Sequence, residues 1–277
     1  MDICDEYDHP DPYLVYIVEN RPYEPLSGEE QSVEFQSLEE LCNSVLCSPC
    51  NCSGSGCGAK QICRHGGNYE VIENDKNNPE LVLSKNRRGG DLIYECSQLC
   101  RCSKKCSNRV IQFGPRKDLQ TTTTPRKGKG LITTAPIREG AFICEYVGEI
   151  LSRSEAERRT IENFREGKMN YIVCLNESSN LNRGNSGECQ RIQTFIDPSR
   201  KGNIGRYLNH SCDPNCETLS VRVDSPIPKI GIFAKRNIAE FEELCFHYGP
   251  GGFSGLDKKP CHCGAKNCQQ FLPTISF

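Results

Sequence analysis

The 277-residue sequence predicts a mainly β protein with few helices, in which bound metal replaces part of the apolar core. Three observations lead there. Short runs of β-branched and aromatic residues, broken by Gly, Pro and Asn, fill residues 128–250. A single segment among them carries helix-start chemistry. The chain is only 36% hydrophobic and has no Trp, while its 20 cysteines fall in groups, so thiols stand where a chain of this length would need aliphatic side chains.

Taken in order, residues 1–45 are an acidic segment with one strand-like run, 13–18, and no cysteine cluster. Residues 46–108 are cysteine-rich and otherwise polar, 109–250 hold the β-rich domain, and 251–277 form a Cys- and Gly-bearing tail. Thr121 to Thr124, followed by Pro125, read as an exposed linker. Strands are expected at 142–148, 171–175, 194–197, 220–223 and 229–234. Between the first two, Ser152 or Ser154 can N-cap a helix, with Glu155 or Glu157 three residues on closing a capping box. That helix should run to about Phe164 and turn Ala156, Ile161 and Phe164 inward. The polar, Gly/Asn-rich stretch 178–193 reads as a hairpin loop.

The net charge of -2 conceals an asymmetry: 12 acidic and 1 basic residue over 1–45, or -11, against 33 basic and 24 acidic in the remainder, or +9. An acidic stretch is ordinarily a solvated face. Here it is also suited to guiding a basic partner such as a histone tail, and the basic remainder permits contact with DNA. No run approaches the ~18 apolar residues of a membrane span, so no membrane is expected. The N-terminus also lacks the basic and apolar regions of an export signal. In a reducing compartment thiols persist, and grouped cysteines then point to metal in place of disulfides.

The spacings sharpen that reading. Cys50-x-Cys52-x4-Cys57-x5-Cys63 is followed by Cys96-x3-Cys100-x-Cys102-x3-Cys106, and a third group is Cys261-x-Cys263-x4-Cys268. Two cysteines one residue apart are tight for a single tetrahedral zinc and suit neighbouring ions that share bridging thiolates. Three zincs offer twelve coordination positions, which nine thiolates fill if three of them bridge. The first two groups supply eight; Cys47, just upstream, would be the ninth. Cys144, Cys174, Cys189 and Cys245 stand alone and read as packing residues or free thiols. The third group lacks one ligand.

The stretch Gly205-Arg206-Tyr207-Leu208-Asn209-His210-Ser211-Cys212-Asp213-Pro214-Asn215-Cys216 resembles the motif of SET-domain protein lysine methyltransferases. Other motifs of that family follow in its order: Gly128-Lys129-Gly130-Leu131, Glu145-Tyr146-Val147-Gly148-Glu149, and Glu243-Leu244-Cys245-Phe246-His247-Tyr248-Gly249. The cysteine groups are similar to the family's pre-SET and post-SET zinc regions, so the likeness covers about residues 46–277. The resemblance implies a β-clip fold with a pseudoknot, flanked by a zinc-cluster pre-SET region over 46–108 and a zinc-binding post-SET region over 251–277. It also implies S-adenosylmethionine as methyl donor, the histone H3 tail or nucleosome as partner, and a place on chromatin in the nucleus. By its pre-SET region the chain resembles the class that methylates lysine nine of the H3 tail, with lysine thirty-six, lysine four or a non-histone protein as alternatives.

Carried over residue by residue, the resemblance assigns the donor site to the backbone of Gly128, Lys129 and Gly130 and to Tyr171, Arg206, Asn209 and His210. Phe271 and Leu272 would close over it. Tyr248 matches the catalytic tyrosine, with Tyr146 and Phe246 lining the same pocket, and Cys212 matches the missing fourth ligand of the post-SET zinc. The chemistry suits these residue types: only a neutral lysine amine attacks a sulfonium methyl, and neutralising Lys at pH 7 costs on the order of 4–5 kcal/mol. An apolar aromatic channel lowers that cost. Alone, Tyr248 would read as a packing aromatic and His210 as a satisfied polar residue; their common order lifts them above that. The rival from another class is an inactive zinc module that binds chromatin or DNA.

Three positions depart from the family pattern. Lys129 stands where a Trp is usual, His247 where an Asp often precedes the catalytic Tyr, and a pre-SET cysteine is missing near Gln61, so that either Cys47 fills in or the cluster holds fewer zincs. Phe246 occupies the family's Phe/Tyr product-switch position, which implies di- or trimethylation.

Overall fold

The computed structural model describes residues 7, 10–28, 32–45, 49–52, 57, 63, 65–72, 80–87, 92–178, 191–249, 259–275 and 277. Its centre is the strand Lys229–Ala234, in which Ile230, Ile232 and Phe233 are wholly buried. An unbroken apolar run of this kind marks a strand covered on both faces. The strand lies in a four-stranded sheet ordered Leu92–Tyr94, Cys216–Arg222, Lys229–Ala234, Phe142–Tyr146. From one face Ile230, Ile232 and Ala234 meet Leu131, Ile143 and Ile204 in the larger core. From the other, Phe233 joins Phe142, Leu219, Val221 and Ile93. The hairpin Tyr69–Ile72/Glu80–Leu83 covers this second face, with Tyr69 stacked on Phe233 at 6.3 Å. The cysteine-rich region is therefore packed onto the β-rich domain.

A second sheet runs Val173–Ser178, Arg191–Asp197, Glu149–Leu151, Arg21–Pro22. Its last strand comes from the acidic segment. The strand-like run 13–18 is ordered only as Val15–Tyr16, parallel to Lys201–Gly202. The same segment holds a helix that the sequence reading did not include, Val33–Asn43. Ser32 caps it by accepting from the Phe35 N–H, and Phe35 packs edge-on against Tyr23. The first and second strands of this sheet pair antiparallel as a hairpin requires, but Ser178 and residues 191–193, expected in the loop, are strand residues, and 179–190 lie outside the described residues. Cys144 and Cys245 are buried, Cys174 is half-buried, and Cys189 is outside the described residues.

Two expectations are corrected. The helix Arg153–Arg165 forms with Ser152 as its N-cap, and Ala156 is buried, but Ile161 and Phe164 are 51% and 42% exposed. What turns inward is charged: Arg159 binds Glu149, Glu155 and Asp197, all nearly inaccessible. The Glu155 carboxylate is taken by Arg158 and Arg159 in place of closing a capping box. A guanidinium carries five donors in one plane, enough to satisfy several carboxylates at once. Thr121 to Thr124 are not a linker either. They belong to the strand Leu119–Thr124, paired along its length with Gly128–Thr133, because β-branched Thr suits a pleated surface and Pro125 begins the turn.

Candidate functional site

The strand Asn209–His210 runs parallel to Cys245–Phe246, and the Ser211 N–H donates to the Phe246 carbonyl. This pairing threads the 205–216 motif against the 243–249 motif. It also gathers three aromatic rings, with Tyr146 5.8 Å from Phe246 and Phe246 5.0 Å from Tyr248. The Tyr146 hydroxyl donates to the Tyr171 carbonyl at 2.7 Å and the Tyr248 hydroxyl to the Leu208 carbonyl at 3.1 Å. Burial pushes both phenols above their usual pKa, so each keeps its proton.

Beside these rings is a cavity of about 660 Å³. It is lined by Gly128, Lys129, Tyr171, Arg206, Asn209, His210, Tyr248 and Leu272 among others. Gly130 lies under this wall, where an added Cβ would come within 2.7 Å of Thr124 Cγ2 and 3.1 Å of Glu243 Oε1. Asn209 Nδ2 donates to the Lys129 carbonyl at 3.0 Å and to Glu243 Oε1 at 2.9 Å, which ties the Gly-Lys-Gly backbone to the second motif. The Lys129 contribution is thus made by its backbone, which any side chain at that position leaves available. Arg206 stacks 4.7 Å over the Tyr171 ring, and its buried Nε has no hydrogen-bond partner among the described residues. Burial, and then the neighbouring His247, lower the His210 pKa to about 4, so the ring is neutral and its Nδ1 accepts from the Tyr248 N–H. Tyr146, Phe246 and Phe271 do not line the cavity; Phe271 instead bridges to Pro260.

Sequence reasoning missed a wall of this cavity. Pro10, Asp11, Pro12 and Tyr13 line it, and Asp11 pairs with Arg206 at 2.8 Å across 195 positions of sequence. Nothing local distinguishes Asp11 from the other acids of its segment. Glu243 belongs to the 243–249 motif, but its grip on Asn209 and Lys127 emerges only from the threading.

The tail 259–272 is fixed next to the cavity by sulfur. Cys212, Cys261, Cys263 and Cys268 present Sγ atoms all within 4.8 Å of one another. The Gln269 and Gln270 N–H groups donate to Cys212 and Cys268. Against the upward push of burial, the backbone N–H groups of Cys212 and Ala265 hold the Cys263 thiol at about 6. His210 Nε2 is 3.4 Å from Cys212 Sγ, so this group adjoins the cavity directly.

In the other cysteine region, the Sγ atoms of Cys50, Cys57 and Cys96 form a triangle with sides of 3.6, 3.6 and 3.9 Å. Cys63, Cys100, Cys102 and Cys106 surround it, all buried, with Cys52 packed alongside. Two sulfurs on one tetrahedral zinc, at Zn–S of ~2.3 Å, lie about 3.8 Å apart. Both groups therefore fit zinc in donor type and spacing, and none of the described cysteines is in a disulfide. Cys47 and Gln61 lie outside the described residues.

Comparison with known proteins agrees with this geometry. The family model for the SET domain matches residues 128–249. Human histone-lysine N-methyltransferase SETMAR is 39% identical over 229 residues, which is 78% of this chain but 31% of that protein. A probable histone-lysine N-methyltransferase of Caenorhabditis elegans, set-23, is 39% identical over 223 residues, spanning 79% of this chain and 87% of that one. The crystal structure of the methyltransferase domain of human SETMAR superposes with a TM-score of 0.72 at 32% identity, over 98% of this chain and 92% of that domain. Arabidopsis thaliana SUVH6, crystallised with S-adenosylmethionine, superposes with a TM-score of 0.67 at 30% identity, over 96% of this chain and 52% of that one. The sequence motifs Arg64-His65-Gly66-Gly67-Asn68-Tyr69 and Cys261-His262-Cys263-Gly264-Ala265-Lys266 resemble the methyltransferase half of SET–mariner fusion proteins, and the match to human SETMAR agrees with that likeness.

Proposed function

The chain belongs to the SET-domain family of histone-lysine methyltransferases, and from that premise we propose that it moves a methyl group from S-adenosylmethionine to a lysine of the histone H3 tail, lysine nine preferred. The observation that carries this reading is the parallel pairing of 209–210 with 245–246. It sets the Tyr248 hydroxyl on the Leu208 carbonyl at the edge of a cavity bounded by Arg206, Asn209 and His210. The donor supplies an electrophilic methyl on a sulfonium. The chain's own residues do the rest. Gly128, Lys129 and Gly130 offer backbone, Arg206, Asn209 and His210 hold the donor, and Leu272, with Phe271 beside it, closes the tail over it. Tyr146, Phe246 and Tyr248 form a wall that excludes water and favours the neutral amine. Alignment of the amine with the methyl contributes several kcal/mol, up to about 7–11 in well-oriented cases.

The division into pre-SET, SET and post-SET regions at 46–108, 109–250 and 251–277 goes with this reading. So do three zincs in the first region, one zinc on Cys212, Cys261, Cys263 and Cys268 in the last, and action on nucleosomes in nuclear chromatin. The basic balance outside residues 1–45 suits contact with DNA. Phe246 supports di- or trimethylation: Phe246→Tyr, by adding a hydroxyl to the pocket, should shift products toward the monomethyl state by mass spectrometry.

Radiolabelled methyl transfer to recombinant H3 tests the proposal. Tyr248→Phe should lower transfer about 100-fold, in the range seen when one oriented donor is lost. Undiminished transfer by this variant would remove Tyr248 from the reaction, and no transfer by the zinc-loaded wild type would remove the function.

A further inference from the structure

Three tetrahedral ions need twelve ligand positions. The eight described cysteines of the first region fill eleven when Cys50, Cys57 and Cys96 each bridge two ions. The sulfur triangle has the geometry for that, and those three residues recur in the metal-binding groups that share its sides. Two of its sides are completed by cysteines alone. On the Cys57–Cys96 side stand Cys102 and Cys106. On the Cys50–Cys57 side stand Cys63, within 4.8 Å of both, and Cys52, which hydrogen-bonds with Cys63, Cys57 and Cys50. The Cys50–Cys96 side has Cys100; Cys63 also comes within 4.8 Å of both its sulfurs, but a terminal thiolate fills one position only, so with Cys63 serving the Cys50–Cys57 side one place here lacks a described cysteine. It has His65, whose Nδ1 lies 3.8 Å from Cys100 Sγ, and the four donor atoms of Cys50, His65, Cys96 and Cys100 are all within 4.8 Å of one another.

We propose that His65 is the twelfth-position ligand, so that this cluster is a Cys8His assembly that needs no ninth thiolate. The proposal rests on the three-zinc reading above and changes its ligand set. The chain around His65 is built to hold it there. Its N–H donates to Cys63 Sγ at 3.4 Å, and its carbonyl accepts from the buried side chains of Asn68 at 2.6 Å and Asn108 at 3.2 Å. The next residue must be Gly: a Cβ at Gly66 would stand 2.6 Å from the Cys57 carbonyl oxygen and 2.8 Å from Cys63 Cβ. The close approach that Gly66 permits is what brings a residue at 65 to the open side of the triangle. The exchange also has an electrostatic consequence. A neutral imidazole in place of a thiolate leaves the cluster one charge less negative than nine thiolates would.

The test uses the full chain loaded with cadmium-113 and labelled with nitrogen-15 histidine, with zinc content measured in parallel. Four zincs per wild-type chain are expected, and three in Cys261→Ser, which empties the tail site; fewer than three in that variant would overturn the three-zinc reading itself, independently of His65. Given full metal, one imidazole nitrogen should show coupling to cadmium in the wild type. His65→Cys should keep every metal and lose that coupling. His65→Ala should lose about one zinc, and Cys47→Ser should lose none. A fully loaded wild type without a coupled imidazole would overturn the assignment. So would a coupling that survives in His65→Cys, or loss of a zinc from Cys47→Ser.

Discussion

The β-rich domain and the cysteine region both have buried interiors, yet they are buried for different reasons. Around Lys229–Ala234 the interior is Ile, Leu, Val and Phe from strands distant in sequence, and burial itself is the stabilising term. Around Cys50, Cys57 and Cys96 the interior is sulfur. Thiols so crowded gain little from the hydrophobic effect, and as thiolates they repel one another until a cation is shared between them. The contrast teaches that one domain's shape is written in its apolar pattern and the other's in the spacing of thiols fit to hold zinc, so that metal uptake is expected to drive folding there.

Chelation should separate the two most strongly. Structural zinc sites contribute about 10–16 kcal/mol apparent per ion in small domains. Removing the metal should therefore release amide protection across 96–108 in hydrogen-exchange measurements, while Phe142–Tyr146 and Lys229–Ala234 stay slow. Equal loss in both regions would mean that the cluster and the β-domain fold as one unit.

Next in size is Arg159→Met. It leaves Glu149 and Asp197 buried without their cation and Glu155 with Arg158 alone, and should cost about 3–5 kcal/mol in urea unfolding at neutral pH. The sign of its pH dependence follows from Glu155. Although burial pushes that carboxyl up, hydrogen bonds from Arg158 and Arg159 hold it below its usual value. Stability from the pairing is present above the ordinary carboxylate pKa and lost as pH falls through the folded value. The gap between wild type and variant should accordingly narrow below about pH 4.

Ile232→Ala, at a site with no exposure, should cost about 2–4 kcal/mol and leave zinc content unchanged, which a mutation in the cysteine region would not. Ser152→Ala removes the cap of Arg153–Arg165 and should cost about 1 kcal/mol, again with full metal.

Legibility follows the same divide. Strand positions such as 229–234 were readable because their residues are apolar on both faces and bounded by turn formers. Arg153–Arg165 was readable at its start, where Ser152 announces a cap, but not in its facing. Apolar spacing points Ile161 and Phe164 inward, whereas the neighbours that decide are two carboxylates from other elements, Glu149 and Asp197, which draw Arg159 inward. The Thr run misled because polarity was weighed above β-branching. At the site, the motifs located Arg206, Asn209, His210 and Tyr248 because their order along the chain is itself informative. Asp11 and His65 are set by contacts across tens to hundreds of positions, and no spacing rule reaches that far.

Site-resolved mass spectrometry of an H3 tail, after reaction with the zinc-loaded chain and S-adenosylmethionine, tests the central claim most directly. Di- and trimethyl groups should appear on lysine nine and disappear with Tyr248→Phe. An unmodified tail, or methylation confined to lysine four or lysine thirty-six, would contradict it.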